Sequence, residues 1–166
     1  MRPLLLVSSL ALALFAGSAF AQPPATQGTS TQAQDAQLSG PRKETADVVN
    51  AFMAALAGGQ LEAARQYMTP DAIVMANGTV LGYRDAYIDK SAKADAAALA
   101  TLQRELLHRE VTAGTAFGWV LSEKRLTAAG APQGAPSELV TETMLLARTD
   151  AGWKITHIHW SGRHAR

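Results

Sequence analysis

The chain has 166 residues, 15 Lys plus Arg against 14 Asp plus Glu, 48% apolar residues and no cysteine. This balance excludes a disordered polyelectrolyte and a disulfide-stapled miniprotein, and it gives no bulk attraction to nucleic acid or to an anionic membrane. Thiol catalysis, thiolate metal ligands and disulfides are closed too, so stability has to come from the packing of one globular domain.

Met1-Arg2 form a short basic start, and Leu4 to Phe15 are apolar except for Ser8 and Ser9. Ala19-Phe20-Ala21 then supplies a small-x-small cleavage site before Gln22. Residues 1–21 therefore read as a secretory signal peptide, and the apolar run is shorter than the roughly 20 residues a spanning helix needs. The expected location is periplasmic or secreted, with no membrane association after cleavage. No cysteine follows the small residues to carry a lipid. Gln22 to Gln37 hold one charge, Asp35, and no large apolar side chain. Such a stretch cannot offset its ordering entropy, so residues 22–40 are expected to be a disordered linker. The domain spans 41–162 and a short tail 163–166.

Val49, Phe52, Met53 and Leu56 recur at helical spacing and predict a helix from about Pro41 to Ala57, stopped by Gly58-Gly59. Leu61, Ala64 and Met68 line a second short helix ended by Thr69-Pro70-Asp71. Ala72 to Ala76 and Thr79 to Gly82 are β-prone runs joined by Asn77-Gly78, a strong hairpin signal. Tyr83 to about Ala92 reads as a third helix with Tyr83 and Tyr87 on its apolar side, and the alanine-rich stretch to Leu102 extends it or wanders. The period then becomes alternating, and four strands are predicted at Glu105 to Thr112, Thr115 to Leu126, Glu138 to Thr149 and Trp153 to Ser161. Thr127 to Ser137, rich in Ala, Gly and Pro, is a longer loop. Helices first and an antiparallel meander last describe an α+β domain with helices over one face of a curved sheet.

Several phrases in this order resemble the nuclear transport factor 2-like superfamily, and within it the SnoaL-like and ketosteroid-isomerase-like bacterial domains. They are the opening helix with Val49, Phe52 and Leu56, then Gly59-Gln60-Leu61-Glu62-Ala63-Ala64 and Met68-Thr69-Pro70-Asp71-Ala72. Asn77-Gly78, Gly82-Tyr83, the strand from Val111 to Gly118, and the closing run from Gly152 to Ser161 complete the set. The resemblance covers about Pro41 to Ser161. It implies a cone-shaped, cystatin-like fold with a pocket between helices and concave sheet, commonly a homodimer through the sheet. It does not imply one activity, because the superfamily holds isomerases, cyclases, dehydratases and members that only bind or assemble.

Strand alternation puts Trp153, Ile155, His157 and His159 on one face and Lys154, Thr156, Ile158 and Trp160 on the other. The histidines are expected on the pocket side, with Ile158 and Trp160 toward a dimer contact. His157 and His159 are the candidate proton-transfer pair, since imidazole titrates near neutrality; the bland reading is that each only orders the core. His-x-His also suits a metal, with His108 and Glu142 available as further ligands, but no metal or other cofactor is assigned. Tyr87, Glu142, Trp153 and His108 are the candidate ligand-binding residues. The register of the last hairpin decides part of this. A turn at Ala151-Gly152 pairs His159 with Met144 and His157 with Leu146, bringing Glu142 to the histidine face. A loop of Asp150-Ala151-Gly152 makes the partners Thr143 and Leu145 and turns Glu142 away.

Ketosteroid-isomerase-like members use an acid/base carboxylate facing donor groups, often Tyr. None of Tyr67, Tyr83, Tyr87, Asp71 or Asp89 maps onto that pattern. Phe117, Trp119 and Leu121 alternate along one strand face as core or sheet interface, while Lys124 and Arg125 read as solubilising charges. No phosphate-binding Gly-rich loop, Ser nucleophile elbow or basic aromatic surface is present. The leading expectation is a domain that binds a small, largely apolar molecule in the cone. An acid/base enzyme using the same residues is the second reading, and an association domain with a filled core the third.

Overall fold

The computed structural model describes residues 34–165, so the expected signal peptide and most of the expected linker lie outside the described residues. Helix α1 (Gly40–Ala57) carries Pro41 in its first turn, where a missing N–H costs nothing. It ends where Gly59 adopts φ +69° and Gln60 N–H donates to the Ala55 carbonyl at 2.8 Å. Its Ala46, Val49, Phe52 and Leu56 are buried, so the predicted apolar stripe is the face laid on the sheet. A short helix α2 (Leu61–Arg65) follows. Met68, expected on that helix, instead opens strand β1 (Met68–Ala76), because hydrogen bonding to the last strand outweighs a helix only five residues long.

β1 and β2 (Thr79–Tyr83) form the predicted hairpin, with Asn77 at φ 48° and Gly78 at φ 80° as a two-residue turn needs. Asn77 also ties the turn to the sheet: its N–H donates to the Trp160 carbonyl and its Oδ1 accepts from Gly162 N–H, both at 2.9 Å. The alanine-rich stretch is helical, as α3 (Arg84–Lys90) and α4 (Ala92–Ala100) meeting at Ser91. Tyr83 precedes α3 and is 62% exposed, so of the two tyrosines assigned to its apolar side only Tyr87 is buried. Arg65 clamps α2 to α3 through Glu62, Asp85 and Asp89. Among the described residues no helix is long and apolar enough to cross a membrane.

The four long strands are β3 (Leu102–Ala113), β4 (Phe117–Ala128), β5 (Ser137–Thr149) and β6 (Gly152–His164). The curved, unclosed sheet runs β2-β1-β6-β5-β4-β3. All pairings are antiparallel except β1 with β6, which is parallel and makes the sheet mixed. The helices cover the concave face, where Val74, Val111, Val120, Met144, Leu146, Ile155 and Ile158 meet α1 and Tyr87 of α3. At Gly118 a Cβ would lie 3.0 Å from Thr45 Cγ2 and from the Thr112 carbonyl, so glycine is what lets α1 approach β4 there.

Besides an extra residue at Leu81 in β2, two single-residue bulges shape the long strands. Leu106 pairs with Lys124 but His108 with Glu123, leaving Leu107 as an extra residue in β3. Leu146 pairs with Ile155 but Leu145 with His157, leaving Thr156 as an extra residue in β6, where its hydroxyl donates to the Leu145 carbonyl at 3.3 Å. Each extra residue reverses which side chains face inward beyond it.

Candidate functional site

The Thr156 bulge decides the fate of the candidate histidines. Trp153 and Ile155 face the core before it, and Ile158 and Trp160 face inward after it. His157 and His159 therefore lie on the outer, convex face, which corrects the expectation that they line the pocket. Their rings stand 6.5 Å apart and tilted. Burial, with the neighbouring His159 charge second, pushes the His157 imidazole below its ordinary value. The hairpin turn is Asp150-Ala151, with Thr149 opposite Gly152, yet the bulge still makes Thr143 and Leu145 the histidine partners and turns Glu142 away from them.

Two other expected pocket residues also lie elsewhere. Trp153 is buried against the start of α1, where its Nε1–H donates to Glu44 Oε2 at 3.0 Å and the Arg148 guanidinium stacks 5.7 Å from the ring centre. His108 is exposed on the outer side of β3, beyond the Leu107 bulge and opposite Glu123. Among the described residues no group of three His, Asp or Glu side chains is arranged to hold a metal ion.

Glu142 and Tyr87 do belong to the concave side, with partners the sequence did not suggest. Glu142 is 2% exposed and sits in a row with Ser122 on β4 and Trp160 on β6. Its Oε1 accepts from Lys124 Nζ at 2.8 Å and its Oε2 from Trp160 Nε1 at 2.9 Å. Lys124 was expected to be a solubilising charge. It faces inward instead, because Val120, Ser122 and Lys124 alternate onto the concave face of β4. Tyr87 packs its ring 6.0 Å from that of Trp160 and donates its hydroxyl to Asp95 Oδ2 at 2.9 Å. Burial, reinforced by Asp95, pushes the Tyr87 phenol far above its usual range and keeps it a neutral donor.

Glu142, Lys124, Trp160 and Asp95 border a cavity of about 420 Å³ between α1, α4 and the inner sheet, whereas Tyr87, expected to bind ligand, is buried behind it and lines none of it. Its apolar wall includes Leu56, Leu99, Leu126, Val140 and Trp160, and its polar lining includes Glu142, Asp95, Arg104 and Lys124. A second cavity of about 510 Å³ shares Met53, Arg104 and Lys124 with the first and extends between α1 and β3, past Asn50 and Arg109. Arg109 is 3% exposed and bonds Asp35 Oδ2 and Asn50 Oδ1, each at 2.8 Å. Asp35 lies in the stretch expected to be linker, and it also accepts from Asn50 Nδ2 at 2.8 Å.

Sequence reasoning missed Lys124, Arg104, Arg109, Asn50, Asp95 and Trp160 as pocket residues. A signal existed on two strands: Val120-x-Ser122-x-Lys124-x-Leu126 and Val140-x-Glu142-x-Met144-x-Leu146 each carry a charge inside an alternating apolar row. A charge in such a row on each of two neighbouring strands is the pattern of a buried pair.

Solved structures share this fold. The chain is similar to a candidate ketosteroid isomerase of Shewanella frigidimarina, with 26% identity and TM-score 0.64 over 71% of this chain and 94% of that one. It is similar in fold to a candidate dehydratase of the NTF2-like family from Streptomyces avermitilis, with 22% identity and TM-score 0.58 over 75% and 96%. An NTF2-like protein with a cystatin-like fold from Novosphingobium aromaticivorans aligns with 17% identity and TM-score 0.57 over 73% and 80%. Among curated proteins none matches. The family model of the SnoaL-like domain matches residues 46–163, and with the helices, the curved mixed sheet and the inner cavity this places the chain in the SnoaL-like family of the NTF2-like superfamily.

Proposed function

We propose that this SnoaL-like domain binds a small, largely apolar molecule in the cone. The observation that carries the reading is the cavity of about 420 Å³, apolar over most of its wall yet provided with converging polar groups at Glu142, Asp95 and Arg104. The signal-like residues 1–21 support action in the periplasm or outside the cell. The test is a titration with N-phenyl-1-naphthylamine, a neutral probe that fluoresces on leaving water. Saturable binding at one probe per chain, abolished by Ala98→Trp with the circular dichroism unchanged, supports the pocket. Absence of saturable binding overturns it.

The buried Glu142 favours a second reading, an acid/base enzyme of the isomerase or dehydratase type, for which the likeness to the Shewanella protein is further support. In this reading the Glu142 carboxylate takes the α-proton from the substrate and returns it, Lys124 and Trp160 set its orientation, and the outward histidines take no part. Glu142-dependent exchange of the α-protons of β-tetralone in heavy water, read by NMR and lost in Glu142→Gln, would establish this reading. Exchange no faster than in buffer would remove it.

We further propose that two copies associate through the convex face, where Trp119, Leu121, Leu145 and the two histidines lie and where Leu145 is exposed. Sedimentation of the wild type as a dimer and of Leu145→Glu as a monomer is the expected outcome, and a monomeric wild type overturns it.

A further inference from the structure

The two cavities meet at Met53, Arg104 and Lys124 and differ in chemistry. The lobe between α1 and β3 has Arg104, Arg109 and Lys124 in its lining and no carboxylate. Two of these cations are already matched. Lys124 pairs with Glu142, and Arg109 with Asp35. Arg104 pairs with no carboxylate among the described residues, and its one recorded bond is a donation to the Leu99 carbonyl at 3.4 Å.

Arg104 and Lys124 are diagonal neighbours on the concave face: Arg104 lies opposite Leu126, and Lys124 opposite Leu106. The Leu107 bulge places Arg109 inward on the same strand. Asp35, outside the lobe's lining, already uses Arg109 and Asn50 as donors to a carboxylate, since its Oδ2 accepts from both. The adjoining lobe offers the apolar wall of Leu56, Leu99, Leu126, Val140 and Trp160. Its own carboxylates are occupied or displaced from Arg104: Glu142 holds Lys124 and Trp160, Asp95 accepts from Tyr87, and Glu138 lies against Gly162.

We infer that the ligand is an amphipathic monoanion, its carboxylate or sulfonate received by the Arg104 guanidinium at the junction of the lobes and its ring or chain body lying along Leu99, Leu126 and Trp160. This rests on the apolar-pocket reading and deepens it. Arg104 is exposed at the mouth of the apolar cavity, where its guanidinium can receive two oxygens of a carboxylate or sulfonate with two parallel N–H donors.

The test compares two probes with the same aromatic body, 8-anilinonaphthalene-1-sulfonate and the neutral N-phenyl-1-naphthylamine, titrated by fluorescence into the full mature chain. The expected result is about tenfold tighter binding of the sulfonate, as one charge-assisted bond gives. Arg104→Gln should bring the sulfonate to the affinity of the neutral probe and leave the neutral probe unchanged. Arg163→Gln, an exposed arginine on the outer face, should alter neither. Equal affinities in the wild type overturn the anion assignment while leaving the apolar pocket standing. A preference that survives Arg104→Gln, or that falls equally in Arg163→Gln, overturns the role of Arg104. If neither probe saturates, the pocket reading fails and takes this inference with it.

Discussion

Glu142 and Lys124 meet inside the concave face with Oε1 2.8 Å from Nζ, and with side chains only 2% and 12% exposed they form an ion pair largely withdrawn from water. Removing one member of such a pair strands the other. Glu142→Leu is expected to cost about 3–5 kcal/mol in urea unfolding. The double variant Glu142→Leu with Lys124→Met should recover most of that loss, because no charge is left uncompensated. A double variant no more stable than the single one would show that the pair is not the source of the cost.

Tyr87 donates to Asp95 from a ring that has no solvent exposure. Tyr87→Phe keeps the packing on Trp160 and removes only the bond to a carboxylate, so a loss of about 1.5–3 kcal/mol is expected. The same variant should lack the latest step in an alkaline absorbance titration of the phenols, since burial and Asp95 hold Tyr87 protonated longest.

Asp35 reaches 74 positions along the chain to Arg109, whose guanidinium is almost fully buried. Asp35→Ala leaves that cation with Asn50 and Ser122 as its side-chain partners and should destabilise the domain by about 2 kcal/mol. Asn50→Ala should be less than additive with it, because both remove parts of one network. Thermal unfolding of the two single variants and the double variant measures this.

His157 titrates below its ordinary value in the folded chain, chiefly because it is partly buried and secondarily because His159 repels a second charge. The unfolded chain, with a value near 6.5, then binds the proton more readily. Its contribution is complete above about pH 6.5 and is lost as pH falls through that value toward the folded one. Melting temperatures measured between pH 7.5 and pH 5 should fall more steeply for the wild type than for His157→Gln. Parallel curves would refute this account.

Much of the fold was legible because its signals are local. The spacing of Val49, Phe52 and Leu56 sets the buried face of α1, Asn77-Gly78 sets the first hairpin, and alternation after Leu102 sets the long strands. The boundary error at Met68 has the opposite cause, since a parallel partner 87 positions away is invisible to a local pattern. Glu142, a candidate through the register of the last hairpin, does line the cavity, whereas Tyr87, a candidate through helix spacing, is buried behind it. Lys124, the partner of Glu142, was not recognisable, because it reads as an ordinary solvated charge until strand pairing turns it inward.

The sequence by itself therefore determined the order of elements and the α+β class, which follow from periodicity and turn chemistry, while its short phrases carried the resemblance to the family. Only the tertiary structure decided which residues make the site. β6 is apolar on both faces, so its pattern accepts either orientation, and one extra residue at Thr156 chooses between them. With that bulge, Ile158 and Trp160 enter the core and the histidines leave it. The cavity then belongs to Glu142 and Lys124, with Arg104 exposed at its mouth, and the inward placement of the pair depends on pairing between strands rather than on any stretch of chain read alone.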